Sequence, residues 1–144
     1  MKSIFKMVGV SAMAGLLAGA ARADEQVLHY EPAVVKLTGT IRVERHYGPP
    51  NFAPGSVVES VPVLILALPV TVQGNPRMAP DGDTYQHVTR IQLVGADAGG
   101  NATLVADAGK PILATGRLFE KISGENFTDV LLQVQQIGSA PGGS

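Results

Sequence analysis

The chain contains no cysteine and no tryptophan, and only 5% of its residues are aromatic. Without cysteine there are no disulfides, no thiolate metal sites, no cysteine nucleophile and no lipidated cysteine. A domain without disulfides must be held by its core alone. A basic excess is also missing. The formal net charge of −1 hides an asymmetry: Lys2, Lys6 and Arg22 precede Asp24, and all 12 acidic residues follow them. From Asp24 onward the balance is therefore −4. Non-specific nucleic-acid binding needs a basic footprint, so no nucleic-acid partner is expected. Nor is there a Gly-x-Ser-x-Gly elbow, a His-Glu-x-x-His pair or a phosphate loop. The sequence names no reaction.

The first 23 residues read as an address. Lys2 and Lys6 give a positive start, Met7 to Ala21 is uncharged and made of small and apolar residues, and Ala21-Arg22-Ala23 fits the small-x-small cleavage rule. A membrane span needs about 20 apolar residues, and this run falls short. The prediction is a signal peptide over 1–23, cut before Asp24, and an exported protein in the periplasm of a Gram-negative cell. Val61 to Val72 is the most apolar later stretch, but Pro62 and Pro69 interrupt it. No membrane span is expected after cleavage.

With 17 glycines and 10 prolines, the 144-residue chain is punctuated at short intervals, which favours short strands and tight turns. Between the breaks the apolar period is two. Val35, Leu37, Gly39, Ile41 and Val43 alternate with Lys36, Thr38, Thr40, Arg42 and Glu44. This is a strand with one dry face, and Gly39 marks a bend. Further strands are predicted over Val61–Val72 (near a sheet edge, because of its prolines), Val88–Val94, Pro111–Phe119 and Thr128–Ile137. One helical turn is expected within Asn101–Ala108. Gly138 to Ser144 has nothing to bury and reads as a disordered tail. The organisation is thus a signal at 1–23, one domain at 24–137 and a tail at 138–144.

Five strands with a long bent first one, and no room for a helical layer, predict an all-β fold. The architecture expected is a small five-stranded barrel of the OB-fold-like kind, with a two-sheet sandwich as the alternative. An echo of the form apolar-x-x-Thr-Gly-x-apolar links Val35-Lys36-Leu37-Thr38-Gly39-Thr40-Ile41 with Ile112-Leu113-Ala114-Thr115-Gly116-Arg117-Leu118. Two barrel strands that each bend at glycine explain it more simply than duplication.

Two segments together carry a resemblance. Leu37 to Phe52 runs Leu-Thr-Gly-Thr-Ile-Arg-Val-Glu-Arg-His-Tyr-Gly-Pro-Pro-Asn-Phe, and Gly109 to Leu132 contains Thr-Gly-Arg-Leu-Phe, then Gly124, then Thr128-Asp129-Val130-Leu131-Leu132. This resembles a family of small exported bacterial domains of unknown function, in which Thr-Gly-x-Leu-Phe is followed by Thr-Gly-His-His-His-Thr-x-Val-Leu. The resemblance implies a bacterial envelope protein and brings no activity with it. Where that family has three histidines, this chain has Glu125, Asn126 and Phe127. Any metal or proton chemistry those histidines carry would be lost here.

The most distinctive segment is Arg45, His46, Tyr47, Gly48, Pro49, Pro50, Asn51 and Phe52. Following the long strand, it is expected on a loop at one barrel end. Its prolines stiffen the backbone and lower the entropy cost of presenting two rings. The rings serve either as contact anchors or as a lid on the core. The second loop, with Glu125, Asn126, Phe127 and Thr128, is expected beside it. Arg117 and Phe119 share a strand face and are expected either to join Arg42 or Arg90 as a basic-aromatic surface or simply to be solvated.

Asp81-Gly82-Asp83 lacks the further regularly spaced carboxylates of a calcium loop, with only Asn75 and Asp97 nearby. His29, His46 and His87 are not at metal-ligand spacing. No cofactor and no metal is expected. Three functions stay open: a non-catalytic binding module for an envelope protein or glycan; a hydrolase or metal-assisted enzyme built on Glu120, Glu125, Asp129 and a histidine; and a purely structural domain. The enzyme reading needs three of those side chains in one cleft. Mass spectrometry of the exported protein is expected to find Asp24 at its N-terminus; a chain beginning at Met1 would overturn the signal assignment.

Overall fold

A computed structural model describes residues 25–74 and 83–141. Residues 1–24, 75–82 and 142–144 lie outside this range. Six strands and one helix follow in order: β1 (Gln26–His29), β2 (Val35–Tyr47), β3 (Val58–Gln73), β4 (Tyr85–Val94), α1 (Ala98–Ala106), β5 (Pro111–Glu120) and β6 (Val130–Ser139). The hydrogen-bonded order is β1-β3-β2-β5-β6-β4, and β4 also pairs with β3. That last pairing closes five strands into a barrel, which decides against the sandwich. Around the barrel the order is β2-β3-β4-β6-β5, with β4 and β6 parallel and α1 between the third and fourth barrel strands. This is the OB-fold arrangement. β1 adds a parallel strand along the second half of β3, from Gln26↔Val70 to His29↔Gln73.

The strands form where the period-two pattern lies. Val35, Leu37 and Ile41 on β2 point inward and are buried, while Lys36, Thr40 and Arg42 are exposed. They join Leu64, Ile91, Leu93, Leu118 and Leu132 in one core. Nine of the core residues, among them Ile41, Leu64, Ile91, Leu93, Leu118 and Leu132, are no more than 1% exposed, the packing expected when a small barrel fills its own interior.

Three boundaries differ from the sequence reading. First, β3 is not an edge. It pairs with β2 from Val58 to Leu66, and with both β4 and β1 at Val70 and Val72. Its prolines are accommodated differently from an edge strand's. Pro62 precedes the first residue paired with β4, and Pro69 lies in a bulge where Leu66–Pro69 face only Thr89. Second, the helix starts at Ala98, three residues before the predicted turn. The Asp97 carboxylate caps it by accepting the Gly100 N–H at 2.8 Å, and Leu104 is its buried residue. Third, the chain does not fray at Gly138. Gly138 and Ser139 pair with Leu113 and Ile112, and Ala140 is buried. Backbone pairing with β5 holds this segment although it has almost no side chains to bury.

The two glycines of the echo both sit at bends. Gly39 faces Leu66 on one side and Ile112 on the other, where β2 exchanges one neighbour for the next. Gly116 adjoins the register shift between β5 and β6. A Cβ at Gly39 would run into the Ile65 carbonyl, and one at Gly116 into the Gln133 carbonyl. Gly116→Ala is expected to destabilise the fold by about 1–3 kcal/mol, the usual cost of overpacking. Urea denaturation measures it, and an unchanged midpoint would show that the bend tolerates a methyl group.

Candidate functional site

On the outer face of β3 and β6, burial runs against the alternation. Val61, Val63 and Leu131 point away from the inner core, yet they are 4%, 0% and 0% exposed. Two devices account for this. The first is a salt bridge that straddles β3. Arg90, opposite Ile65 on β4, forks onto Glu44, opposite Val61 on β2, with Nη2 donating to Oε1 at 2.6 Å and Nε to Oε2 at 3.2 Å. His46 Nε2 lies 2.9 Å from the same Oε1, and Arg42 Nη2 lies 3.6 Å from Oε2. Burial acts to raise the Glu44 carboxyl pKa, but hydrogen bonds from Arg90 and His46 outweigh it and hold the group below its ordinary value.

The second device is the loop between β5 and β6. Gln92, 8% exposed on the outer side of β4, holds it in a two-way grip. Its Oε1 accepts the Phe127 N–H at 2.6 Å, its Nε2 donates to the Glu125 carbonyl at 3.2 Å, and its backbone N–H donates to Thr128 Oγ1 at 3.0 Å. From there the Phe127 ring stacks on the His46 imidazole, with centroids 4.2 Å apart and planes 9° from parallel. The loop thus reaches from β4 to β2 across the outer surface of β3.

The two sequence-predicted loops meet. The Phe52 ring lies against Gly124, close enough that a Cβ there would sit 3.0 Å from its Cζ. Phe52 is held at φ 52° by its own loop, its N–H donating to the Gly48 carbonyl at 2.9 Å, and it remains 40% exposed. Tyr47 is the last residue of β2 rather than a loop residue, opposite Val58, and it is 42% exposed. Val57, Val58 and Ile122 extend the exposed apolar surface of these segments. Pro49, Pro50 and Asn51 are exposed along the loop, and Arg45 is exposed opposite Ser60.

The other predicted residues divide. Asn126 shapes its own turn, its Oδ1 accepting the Ile122 and Ser123 N–H groups. Thr128 is buried, and its hydroxyl donates to the Val130 carbonyl at 2.7 Å. Glu125 is exposed. Arg117 and Phe119 face Gln133 and Leu131 on β5 and β6. β5 is a direct neighbour of β2, but the register runs from Val35↔Gly116 to Thr40↔Pro111, so Phe119 and Arg42 lie beyond opposite ends of that ladder. Arg42 and Arg90 instead converge on Glu44. The residues that sequence reasoning missed are Glu44 and Gln92. Both stand at polar positions of the alternation, which looks the same for a latch as for a solvated side chain.

Of the carboxylates in the enzyme reading, Glu120 is taken up by other partners. Glu120 accepts the Tyr85 hydroxyl at 3.0 Å and the Asp83 N–H at 3.3 Å. The buried Tyr30 hydroxyl donates to the Asp83 carbonyl at 2.7 Å, and burial together with nearby Glu120 raises its pKa. Among the described residues no three His, Asp or Glu side chains are grouped to hold a metal. Asp81 and Asn75 lie outside the described residues. No described helix is long and apolar enough to cross a membrane. No family model matches the chain, and no curated protein is significantly similar to it.

Because the folded Glu44 carboxyl releases its proton more readily than the unfolded one, the stability it adds is present above the unfolded value of 4.5. That stability is lost as pH falls through the lower folded value. Glu44→Gln is expected to flatten the acid limb of a stability–pH profile, measured by thermal melting between neutral pH and the acid range. An unchanged limb would remove Glu44 from the acid response.

Proposed function

We propose that this domain is a non-catalytic binding module for a protein or glycan of the bacterial envelope. Its ligand surface is the apolar rim made by Tyr47, Phe52, Val57, Val58 and Ile122 beside the outer face of β2–β4. The observation that carries this reading is the contact between the two loops, Phe52 resting on Gly124 while both it and Tyr47 stay exposed. In OB barrels these two loops and the adjoining strands are the usual place for oligomeric ligands. Aromatic rings on a backbone stiffened by Pro49 and Pro50 are efficient anchors, because little freedom is lost on contact. The acidic balance after Asp24 argues against a nucleic-acid ligand and leaves glycan or protein. The signal-like N-terminus and the resemblance to exported bacterial domains support the location.

A second reading has its own support. The Phe127 stack and the Gln92 grip draw the loop toward the face where Val61 and Val63 are buried, which supports a structural lid. Capture separates the two. Tyr47→Ala and Phe52→Ala together are expected to abolish recovery of the envelope partner in a crosslinking pull-down, with the circular-dichroism spectrum unchanged. Undiminished capture by the folded double variant would leave the rim as packing alone.

A further inference from the structure

A second surface opens where β2 and β3 part. Their pairing ends at Gly39↔Leu66. Beyond it, β2 runs back to Val35 with β5 as its neighbour, while Leu66–Pro69 swing out in the bulge opposite Thr89. Between them lies a cleft of about 420 Å³, with Lys36 and Thr38 on one side, Leu66, Leu68 and Val70 on another, and His87 at the rim. That volume falls within the ordinary range for small-ligand sites. It lies on the wall near β1, away from the rim of Tyr47 and Phe52.

The chemistry of the cleft is lopsided. One wall is aliphatic, and Leu68 leaves 76% of its surface in water. Of the charged groups, Glu25 is already satisfied. Its Oε1 accepts the Thr71 hydroxyl at 2.8 Å and the His87 backbone N–H at 2.9 Å, and its Oε2 lies 3.2 Å from His87 Nδ1. These bonds, the Thr71 hydroxyl foremost, hold its carboxyl below the ordinary value. They also hold His87 at φ 54°, a left-handed conformation costly for a residue with a Cβ. With Nδ1 committed to Glu25, the imidazole keeps Nε2 for another partner. Lys36 has no ion-pair partner among the described residues. The cleft therefore offers an ammonium without a salt-bridge partner beside an exposed aliphatic wall.

We propose that this cleft binds a small amphiphilic anion, an aliphatic carboxylate whose head group pairs with Lys36 and whose chain lies along Leu66, Leu68 and Val70. Charge complementarity selects the anion, and burial of the chain against Leu68 supplies the apolar contact. Octanoate is the probe, titrated by calorimetry and by amide chemical shifts. Saturable shifts are expected at Lys36–Thr38, Leu66–Val70 and His87, with 1-octanol binding at least about tenfold more weakly. Lys36→Gln is expected to erase that difference, and Leu68→Ser to weaken both ligands; both positions are exposed, so the fold survives either change. Absence of saturable shifts at low-millimolar octanoate, or a Lys36→Gln variant that binds it as the parent does, would overturn the proposal. Tyr47→Ala with Phe52→Ala should leave octanoate binding unchanged, so this test stands apart from that of the rim.

Discussion

A 16-residue strand cannot run straight and still close a five-stranded barrel. β3 solves this with two register shifts against β4, the sharper being the four residues Leu66–Pro69 set against Thr89. Before it, β3 pairs with β2; after it, β3 turns to meet β1, and on both sides it keeps hold of β4. Barrel strands must coil to close, and bulges and glycines are how they do so without breaking the ladder. Gly39, opposite Leu66, lets β2 turn at the same level. The closed core, the β1 flank and the cleft beside Lys36 all follow from that bend.

Closure also creates a demand on the outside. A strand with Val61 and Val63 on its outer face has nothing to bury them against in a single-layered barrel. Here the chain supplies its own second layer, with Glu44 and Arg90 clasped above β3 and the 121–129 loop drawn across by Gln92. A buried amide such as Gln92 is tolerable only when its groups are satisfied, and both its oxygen and its nitrogen are. The result couples fold and candidate site: residues that finish the packing also place Phe52 and Phe127 at the edge of the exposed rim.

The inward set of β2, the strand over Pro111–Phe119, the bends at Gly39 and Gly116 and the class of fold were all legible, because period two and glycine report backbone geometry directly. The meeting of the two loops was foreseen from their place at strand ends. Three other features were not legible. Pro62 and Pro69 suggested a strand flanked or interrupted there and near an edge; the interruption falls at Pro69, but the strand is paired on both sides. Gly138 and Ser139 offered no apolar signal, and their pairing with β5 is a matter of main-chain hydrogen bonds that any residue but proline can make. Arg117 and Phe119 were judged by strand face alone, which does not say how far along a pair of strands two residues stand.

By itself, the sequence determined which residues could be dry and where the backbone could turn. It also set what chemistry was absent: no thiol, no basic tract and no known reaction motif. Tertiary structure decided which polar residues stopped being surface. Glu44 and Arg90 are 46 positions apart, and Gln92 and Phe127 are 35 apart. An outward polar side chain costs nothing until another strand or loop is brought over it, and only barrel closure sets which one arrives.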